Sequence, residues 1–321
     1  MRAIVYDEYG SPDVLEPRDI EKPTLTDDGV LVRVQAAAVN PLDWHMLTGI
    51  PYIARLEAGL RRPKGKVLGV DFAGKVEAVG QDVEELQPGD EVFGARTGAF
   101  AEYVCVREAV VRKPANLTFE QAAAVPVAAI TALQGLRDHG QIRAGQRVLV
   151  NGASGGVGTF AVQIAKSFGA EVTGVCSARN VDLVRSIGAD HVVDYTREDF
   201  TRTGGAYDLM LDMVGNRSWS ECSHVLKPRA TLVIVGGPKT NRLVGPIGHI
   251  IRVRLAGARS SQKITFFLAK TKKADLMILR GLLESRKVIP AIDRSYELSE
   301  VPDALRYLGQ GHARAKVVVT H

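Results

Sequence analysis

Cysteine is scarce in this chain, with three in 321 residues, at positions 105, 176 and 222. Their spacing offers no CxxC pair for a structural zinc and no even set for a disulfide framework, so we expect free thiols in a reducing cytosol. No apolar run approaches the roughly 20 residues that cross a bilayer, and the opening MRAIVYDEYG becomes acidic before a signal-peptide core could form. We therefore expect a cytoplasmic protein with no membrane partner.

A large net charge is also missing, because 41 Lys and Arg stand against 36 Asp and Glu. So small an excess does not indicate a nucleic-acid partner. Basic residues are concentrated between Arg242 and Lys287, where eleven Lys or Arg accompany only Asp275 and Glu284. This stretch is either a solvated face or a field that attracts anionic cofactors or substrates.

The length corresponds to about two domains of roughly 150 residues. The first part contains short alternating or apolar runs such as RAIVY, VLVRVQAAAV and DFAGKVEAV, separated by Gly and Pro turns, which predict an antiparallel, partly barrel-like β region. From about Thr118, apolar strands alternate with amphipathic helices, a pattern typical of a doubly wound parallel sheet. The final strand, helix and strand most simply rejoin the first part. We predict a discontinuous β-rich domain over 1–120 and 286–321, and an α/β domain over 121–285.

The strongest local motif is VLVNGASGGVGTFAVQIAKSFGA, in which a strand, a glycine turn and a helix follow one another. The helix N-terminus carries free N–H groups and the positive end of the helix dipole, and both favour a pyrophosphate. The alternative is a purely structural glycine turn. The motif predicts a dinucleotide site formed by five consecutive residues: Ser154, Gly155, Gly156, Val157 and Gly158.

The end of the next strand reads Val-Cys-Ser-Ala-Arg-Asn over 175–180 and contains no Asp or Glu to bind a ribose 2′-hydroxyl. Ser177 can instead donate to a 2′-phosphate, and Arg179 can pair with it through its planar fork. NADP(H) is therefore favoured over NAD(H). Tyr195, at the end of the third strand, either contacts the same phosphate or adenosine, or is half-buried packing.

The whole chain resembles the medium-chain dehydrogenase/reductase superfamily, in its zinc-independent quinone oxidoreductase branch. The resemblance rests on MRAIVYDEYGSPDVLE, VQAAAVNPLDWHMLTG, VLGVDFAGKVEAVG, QPGDEVFG, GAFAEYVCV, AAAVPVAAITALQGL, NGASGGVG and SIGADHVVDY, in that order. It implies a GroES-like catalytic domain, a Rossmann domain that binds the cofactor, and a homodimer.

The resemblance also shows where zinc-dependent relatives place their metal ligands. The first cysteine corresponds to Asn40, the ligand histidine corresponds to Val70, and the third ligand falls in the apolar segment VPVAAITAL. Three ligands drawn from Cys, His and carboxylate are the usual need of a catalytic zinc. We therefore expect no metal.

Two residues are candidates for catalysis by resemblance. Asn40 would lie near the nicotinamide and hydrogen-bond the substrate or a 2′-hydroxyl, or it is simply a turn residue before Pro41. Tyr52 lies in a segment similar to the family's substrate-side loop, where its phenol would donate to a substrate oxygen or serve as a wall.

Four further residues are candidates for contact with the cofactor, the first of them by the same resemblance. Thr131 would contact the nicotinamide, although a helix threonine bonded to its own backbone is the rival interpretation. Gly236 and Gly237 would let the backbone approach the carboxamide. Lys316 either reaches the cofactor phosphates or, in the favoured interpretation, is solvated.

These observations predict an NADPH-dependent, metal-free oxidoreductase that transfers hydride to a quinone or an activated α,β-unsaturated carbonyl. Two alternatives remain open. One is an enoyl-thioester reductase of the same fold, acting on CoA or acyl-carrier substrates, and the other is an NADPH-binding protein without turnover.

Overall fold

The computed structural model describes residues 1–202, 206–238, 243, 245, 247–311 and 313–321. Fifteen strands and ten α-helices lie within these residues. The strands are β1 Arg2–Val5, β2 Glu16–Asp19, β3 Val30–Val39, β4 Asp71–Val79, β5 Glu91–Ala95, β6 Tyr103–Val106, β7 Val110–Arg112, β8 Arg147–Asn151, β9 Glu171–Cys176, β10 His191–Asp194, β11 Tyr207–Asp212, β12 Leu226–Ile234, β13 Lys263–Phe266, β14 Ile292–Glu297 and β15 Lys316–Thr320. The helices are α1 Pro41–Thr48, α2 Arg55–Ala58, α3 Phe119–Ala123, α4 Pro126–Gln134, α5 Gly156–Ser167, α6 Val181–Ser186, α7 Trp219–Val225, α8 Ile247–Ala256, α9 Lys273–Glu284 and α10 Val301–Gly309.

The chain divides into two compact units. The first comprises Met1–Ile130, Thr271–Ser285 and Pro290–His321, and the second comprises Thr131–Lys270 and Arg286–Ile289. These boundaries differ from 120/121 and 285/286, the limits we predict for the domains: residues 121–130 and 271–285 fall within the first unit, and residues 286–289 fall within the second. The predicted domains remain a proposal about the limits of the folding units.

The first unit is built on a seven-stranded sheet in the order β14-β15-β3-β4-β5-β7, with β6 also pairing with β3, and on the separate pair β1-β2. Every pairing in it is antiparallel except that of β14 with β15. Its core includes Leu47, Leu68, Phe72, Phe100 and Val319, each at most 1% exposed. A β-rich unit of this kind agrees with the sequence pattern, and its last strand is the chain's last strand.

Helix α9 belongs to the first unit. Leu276, Leu279 and Leu283 are buried at helical spacing along one face. Near its end, Asn116 Nδ2 donates to Leu283 O at 3.0 Å.

The second unit is a six-stranded, wholly parallel sheet in the order β10-β9-β8-β11-β12-β13. From β8 the chain adds strands in one direction and from β11 in the other, so the order reverses between these two strands. In such sheets ligands bind beyond the carboxyl ends of the strands at the reversal. The last strand of this sheet, β13, lies in the run KITFFLA.

Candidate functional site

Four polar side chains are buried together in the first unit, each at most 3% exposed: Asn40, Asp43, Asp71 and Lys316. Asp71 begins β4 and Lys316 begins β15, the two strands that flank the end of β3. Lys316 Nζ donates to Asp71 Oδ2 at 3.2 Å and to Asn40 Oδ1 at 2.6 Å. The interpretation of Lys316 as a solvated lysine is therefore wrong, because the strand register places its side chain beside a buried carboxylate.

Asn40 connects this cluster to the backbone. Its Nδ2 donates to Asp71 Oδ2 at 3.0 Å and to Ala38 O at 3.3 Å, while its Oδ1 accepts from Lys316. Both amide hydrogens are thus used within the protein, and one carbonyl lone pair remains. The catalytic role of Asn40 stays a prediction. Because both amide hydrogens are already used, the side chain of Asn40 could only accept a hydrogen bond from a substrate.

Asp43 holds the start of α1. Its carboxylate accepts from Asn40 N at 2.8 Å and from Gly69 N at 3.1 Å, so it orients two backbone segments. Burial raises the pKa of Asp43 to about 7, and the charge of Asp71 adds to the rise. Burial also raises the pKa of Asp71, although Lys316, Asn40 and the Val127 N–H oppose this effect.

Tyr52 lies in a short turn over Tyr52–Ala54 and is 40% exposed. The guanidinium of Arg55 lies 4.8 Å from the centroid of its ring and 4.3 Å from that of Tyr9. Such cation–π contacts restrain an exposed ring. The catalytic role of Tyr52 stays a prediction.

In the second unit, the glycine turn joins the end of β8 to the start of α5. Gly155 precedes the helix and provides no side-chain cap, so the first N–H groups of α5 remain for another acceptor. Gly158 must be glycine because a Cβ there would lie 2.1 Å from Gly152 O. The loop and the start of the helix are therefore packed closely against each other.

The other predicted cofactor residues follow the carboxyl ends of strands in the same sheet. Ser177 follows β9 and is half-buried, Arg179 is exposed two residues later, and Tyr195 follows β10 and is 54% exposed. Asp194, the last residue of β10, has its carboxylate engaged by the Thr196 hydroxyl at 2.7 Å and by the Thr196 N–H at 3.0 Å. The structure thus brings Ser177, Arg179 and Tyr195 to one edge of the sheet.

Gly236 lies beyond β12, where its N–H donates to Asp212 O at 3.2 Å. A Cβ on Gly236 would lie 2.2 Å from Met213 O, so backbone packing alone requires glycine here. Gly237 follows directly, and Thr131 lies half-buried in α4. The contacts of these three residues with a nicotinamide stay predictions.

Sequence reasoning missed a role for Asn180. Its Nδ2 donates to Ser154 Oγ at 3.0 Å and to Ser177 Oγ at 3.3 Å, joining the glycine turn to the end of β9. It also missed Asp71 and Lys316 as partners. The available signal was a charged residue at the start of each strand, followed directly by small or apolar residues.

The structure bears on the metal and membrane predictions only within the residues it describes. In that part of the chain, no group of three or more His, Cys, Asp or Glu could hold a metal ion, and Asn40 and Val70 occupy two of the compared ligand positions. No helix among the same residues is long and apolar enough to cross a membrane. All three cysteines are free thiols, as the spacing of the cysteines predicts. Of the basic stretch between Arg242 and Lys287, Arg242 lies outside the described residues.

Comparison with known proteins decides the family. An alcohol dehydrogenase GroES-like domain matches residues 26–115, and a zinc-binding dehydrogenase domain matches residues 187–319. The chain is 35% identical to the mitochondrial NAD(P)H oxidoreductase RTN4IP1 of Mus musculus, over 99% of this chain and 89% of that protein. The chain belongs to the medium-chain dehydrogenase/reductase superfamily, in its quinone oxidoreductase branch.

Two further relatives support this membership. The chloroplastic NADPH-dependent alkenal/one oxidoreductase of Arabidopsis thaliana is 35% identical, with 99% of this chain and 79% of that protein covered. The structure of the quinone oxidoreductase from Coxiella burnetii superposes with a TM-score of 0.87 at 32% identity, covering 100% of this chain and 99% of that one. The predicted family and fold class, a GroES-like domain with a Rossmann-type domain, are confirmed.

Proposed function

We propose that this protein is an NADPH-dependent oxidoreductase that reduces a quinone or the carbon–carbon double bond of an activated enone. The observation that carries the proposal is the carboxyl edge of the second unit's sheet, where a close-packed glycine turn lies beside Ser177 and Arg179. The names of the alkenal/one oxidoreductase and of the Coxiella burnetii quinone oxidoreductase support the reaction class.

The residues of this edge fit the proposed cofactor. Glycine at 158 lets the turn pack closely against the start of α5, and the N-terminus of α5 offers its first N–H groups to a pyrophosphate. Ser177 and Arg179 would hold the 2′-phosphate, and a carboxylate that would repel it is missing from 175–180. Thr131, Gly236 and Gly237 would hold the nicotinamide end. Bound NADPH would supply the hydride.

The first unit would supply the groups that act on the acceptor. Tyr52 would donate its phenolic hydrogen to the oxygen on which negative charge develops. Asn40 would use its remaining lone pair to accept from a hydroxyl group, and its orientation is fixed by Lys316 and Asp71.

Three further expectations belong to the same proposal. Zinc independence is supported by Asn40 and Val70, since neither side chain is a ligand that zinc commonly takes in proteins. A homodimer is supported by the family resemblance. A cytosolic location is supported by three free thiols.

The deciding experiment follows the near-ultraviolet absorbance of NADPH and NADH with a simple quinone, an enone and an enoyl-CoA as acceptors. We expect turnover of the quinone or the enone with NADPH preferred, and no loss of activity with a chelator. Turnover of the enoyl-CoA alone would favour a thioester reductase. Saturable NADPH binding without turnover of any acceptor would contradict the proposed reaction.

A further inference from the structure

One buried amide lies between two hydroxyl groups in the second unit. Asn180 is 6% exposed, and its Nδ2 lies 3.0 Å from Ser154 Oγ and 3.3 Å from Ser177 Oγ. Ser154 belongs to the glycine turn and Ser177 follows β9, so one side chain contacts both loops at this edge of the sheet. Sequence reasoning assigned both serines to the cofactor but gave Asn180 no role.

The direction of these hydrogen bonds determines what the serines can do next. A hydroxyl group has one hydrogen to donate and two lone pairs to accept with. Where Asn180 donates to a serine, the amide uses a lone pair and leaves the hydroxyl hydrogen unused. Each serine hydroxyl can therefore donate its hydrogen to a third group. An anionic oxygen is the acceptor that forms the strongest hydrogen bonds with such donors.

The other end of the same amide is not satisfied. Asn180 Oδ1 and Arg217 Nε are the buried side-chain polar atoms that lack a hydrogen-bond partner among the residues the structure describes. A buried acceptor without a donor destabilises the fold, and an alanine at this position would avoid that penalty. Among the residues that the structure describes, the nitrogen of the same amide donates only to the two serines.

We propose that Asn180 is a positioning residue for NADP(H), because it holds the Ser154 and Ser177 hydroxyl hydrogens ready for phosphate oxygens. This inference rests on the proposed function, since it takes the cofactor to be NADPH. Ser154 would meet the phosphates of the central linkage that every dinucleotide carries, and Ser177 would meet the 2′-phosphate. Loss of the amide should therefore weaken binding of a 2′-phosphorylated adenosine more than binding of 5′-AMP.

Calorimetric titration with adenosine 2′,5′-bisphosphate and with 5′-AMP tests this without relying on activity. We expect Asn180→Ala to raise the Kd of the bisphosphate about tenfold and that of 5′-AMP by less than about threefold. Asn116→Ala, which removes an amide donating to Leu283 O in the first unit, is the control and should leave both values unchanged.

A double-mutant cycle separates positioning from a general structural effect. If Asn180 acts through Ser177, adding Asn180→Ala to Ser177→Ala should raise the Kd of the bisphosphate by no more than about twofold. Independent effects, which multiply in the double variant, would contradict the inference. If Asn180→Ala does not fold, Asn180→Asp keeps the volume but lacks the N–H donors, and wild-type affinity in that variant would overturn it.

The same titrations separate this inference from the proposed function. A wild-type protein that binds neither ligand, nor NADPH, would contradict both. A wild-type protein that prefers the bisphosphate, with Asn180→Ala showing the same preference, would contradict only the role of Asn180.

Discussion

Lys316 Nζ and Asp71 Oδ2 lie 3.2 Å apart, in side chains that are at most 3% exposed. The two residues begin strands on opposite sides of β3, and Asn40 shares hydrogen bonds with both. The pair therefore connects β15 to Asn40, a residue for which we predict a catalytic role.

Removing the lysine should leave a buried carboxylate without a cation. We expect Lys316→Met to lower the free energy of unfolding by about 3–5 kcal/mol, measured by urea denaturation. Lys22→Met is the control, because Lys22 pairs with Glu77 at 2.8 Å at an exposed position. If both variants lose the same unfolding free energy, the buried Asp71–Lys316 pair stabilises the protein no more than the exposed Lys22–Glu77 pair does.

Asp43 should make stability depend on pH. Burial raises its pKa from 3.8 to about 7, so the folded protein binds this proton more tightly than the unfolded chain. Between these values the folded state therefore loses stability as pH rises, with the full loss above about 7. Asp43→Asn, which cannot ionise, should be less stable than the wild type at pH 5 because it loses an acceptor, and this difference should narrow by pH 8. A constant difference across urea titrations in this range would contradict the raised pKa.

Two glycine substitutions should have opposite effects. Gly158→Ala places a Cβ 2.1 Å from Gly152 O, so we expect a lower melting temperature and a loss of NADPH binding. Gly281→Ala lies in α9, where a Cβ meets no atom within 4 Å, and should stabilise the protein by about 1 kcal/mol. Thermal unfolding and NADPH titration check both. Unchanged NADPH affinity in Gly158→Ala would count against the glycine turn as the phosphate site.

Arg179 should set the choice between the two nicotinamide cofactors. We expect NADPH to bind at least about tenfold more tightly than NADH, a difference of roughly 1.4 kcal/mol. Arg179→Ala should reduce this preference and leave the Kd of NADH nearly unchanged, because NADH carries no 2′-phosphate with which Arg179 could pair. Arg202→Ala, at an exposed arginine paired with Asp199, is the control. Equal affinities of the wild type for NADPH and NADH would contradict the assignment of Arg179 to the 2′-phosphate.

Tyr52 offers a test of proton donation. Tyr52→Phe keeps the ring under Arg55 and removes only the hydroxyl, so we expect kcat to fall about tenfold or more with KM little changed. Tyr9→Phe is the matched control, since Tyr9 also contacts Arg55 while its hydroxyl donates to Gly59 O at 2.6 Å. If kcat is the same in Tyr52→Phe and the wild type, Tyr52 is a wall residue.

The parts of this molecule that the sequence predicts are those with local signals. The strand β8, the glycine turn and α5 lie within a short segment, and apolar strand, turn and helix patterns each identify their own part of it. The family motifs, which occur in the expected order along the chain, predict the GroES-like domain and the Rossmann domain.

Contacts between distant positions could not be predicted in this way. Asp71 and Lys316 are 245 positions apart, and either one alone looks like a charged residue at a strand end. The role of Asn180 depends on where its amide hydrogens point, which no spacing encodes. Gly236 shows a different difficulty. The sequence assigns this glycine to the cofactor, but a Cβ there would clash with Met213 O, so backbone packing already requires glycine.

The position of β15 has a consequence for biosynthesis. This strand lies between β14 and β3 in the first unit and carries Lys316, yet the ribosome makes it after every residue of the second unit. The second unit can therefore complete its sheet while the chain is still being synthesised, whereas the first unit must wait with an open strand edge at β3. During translation, the part made first is the part finished last.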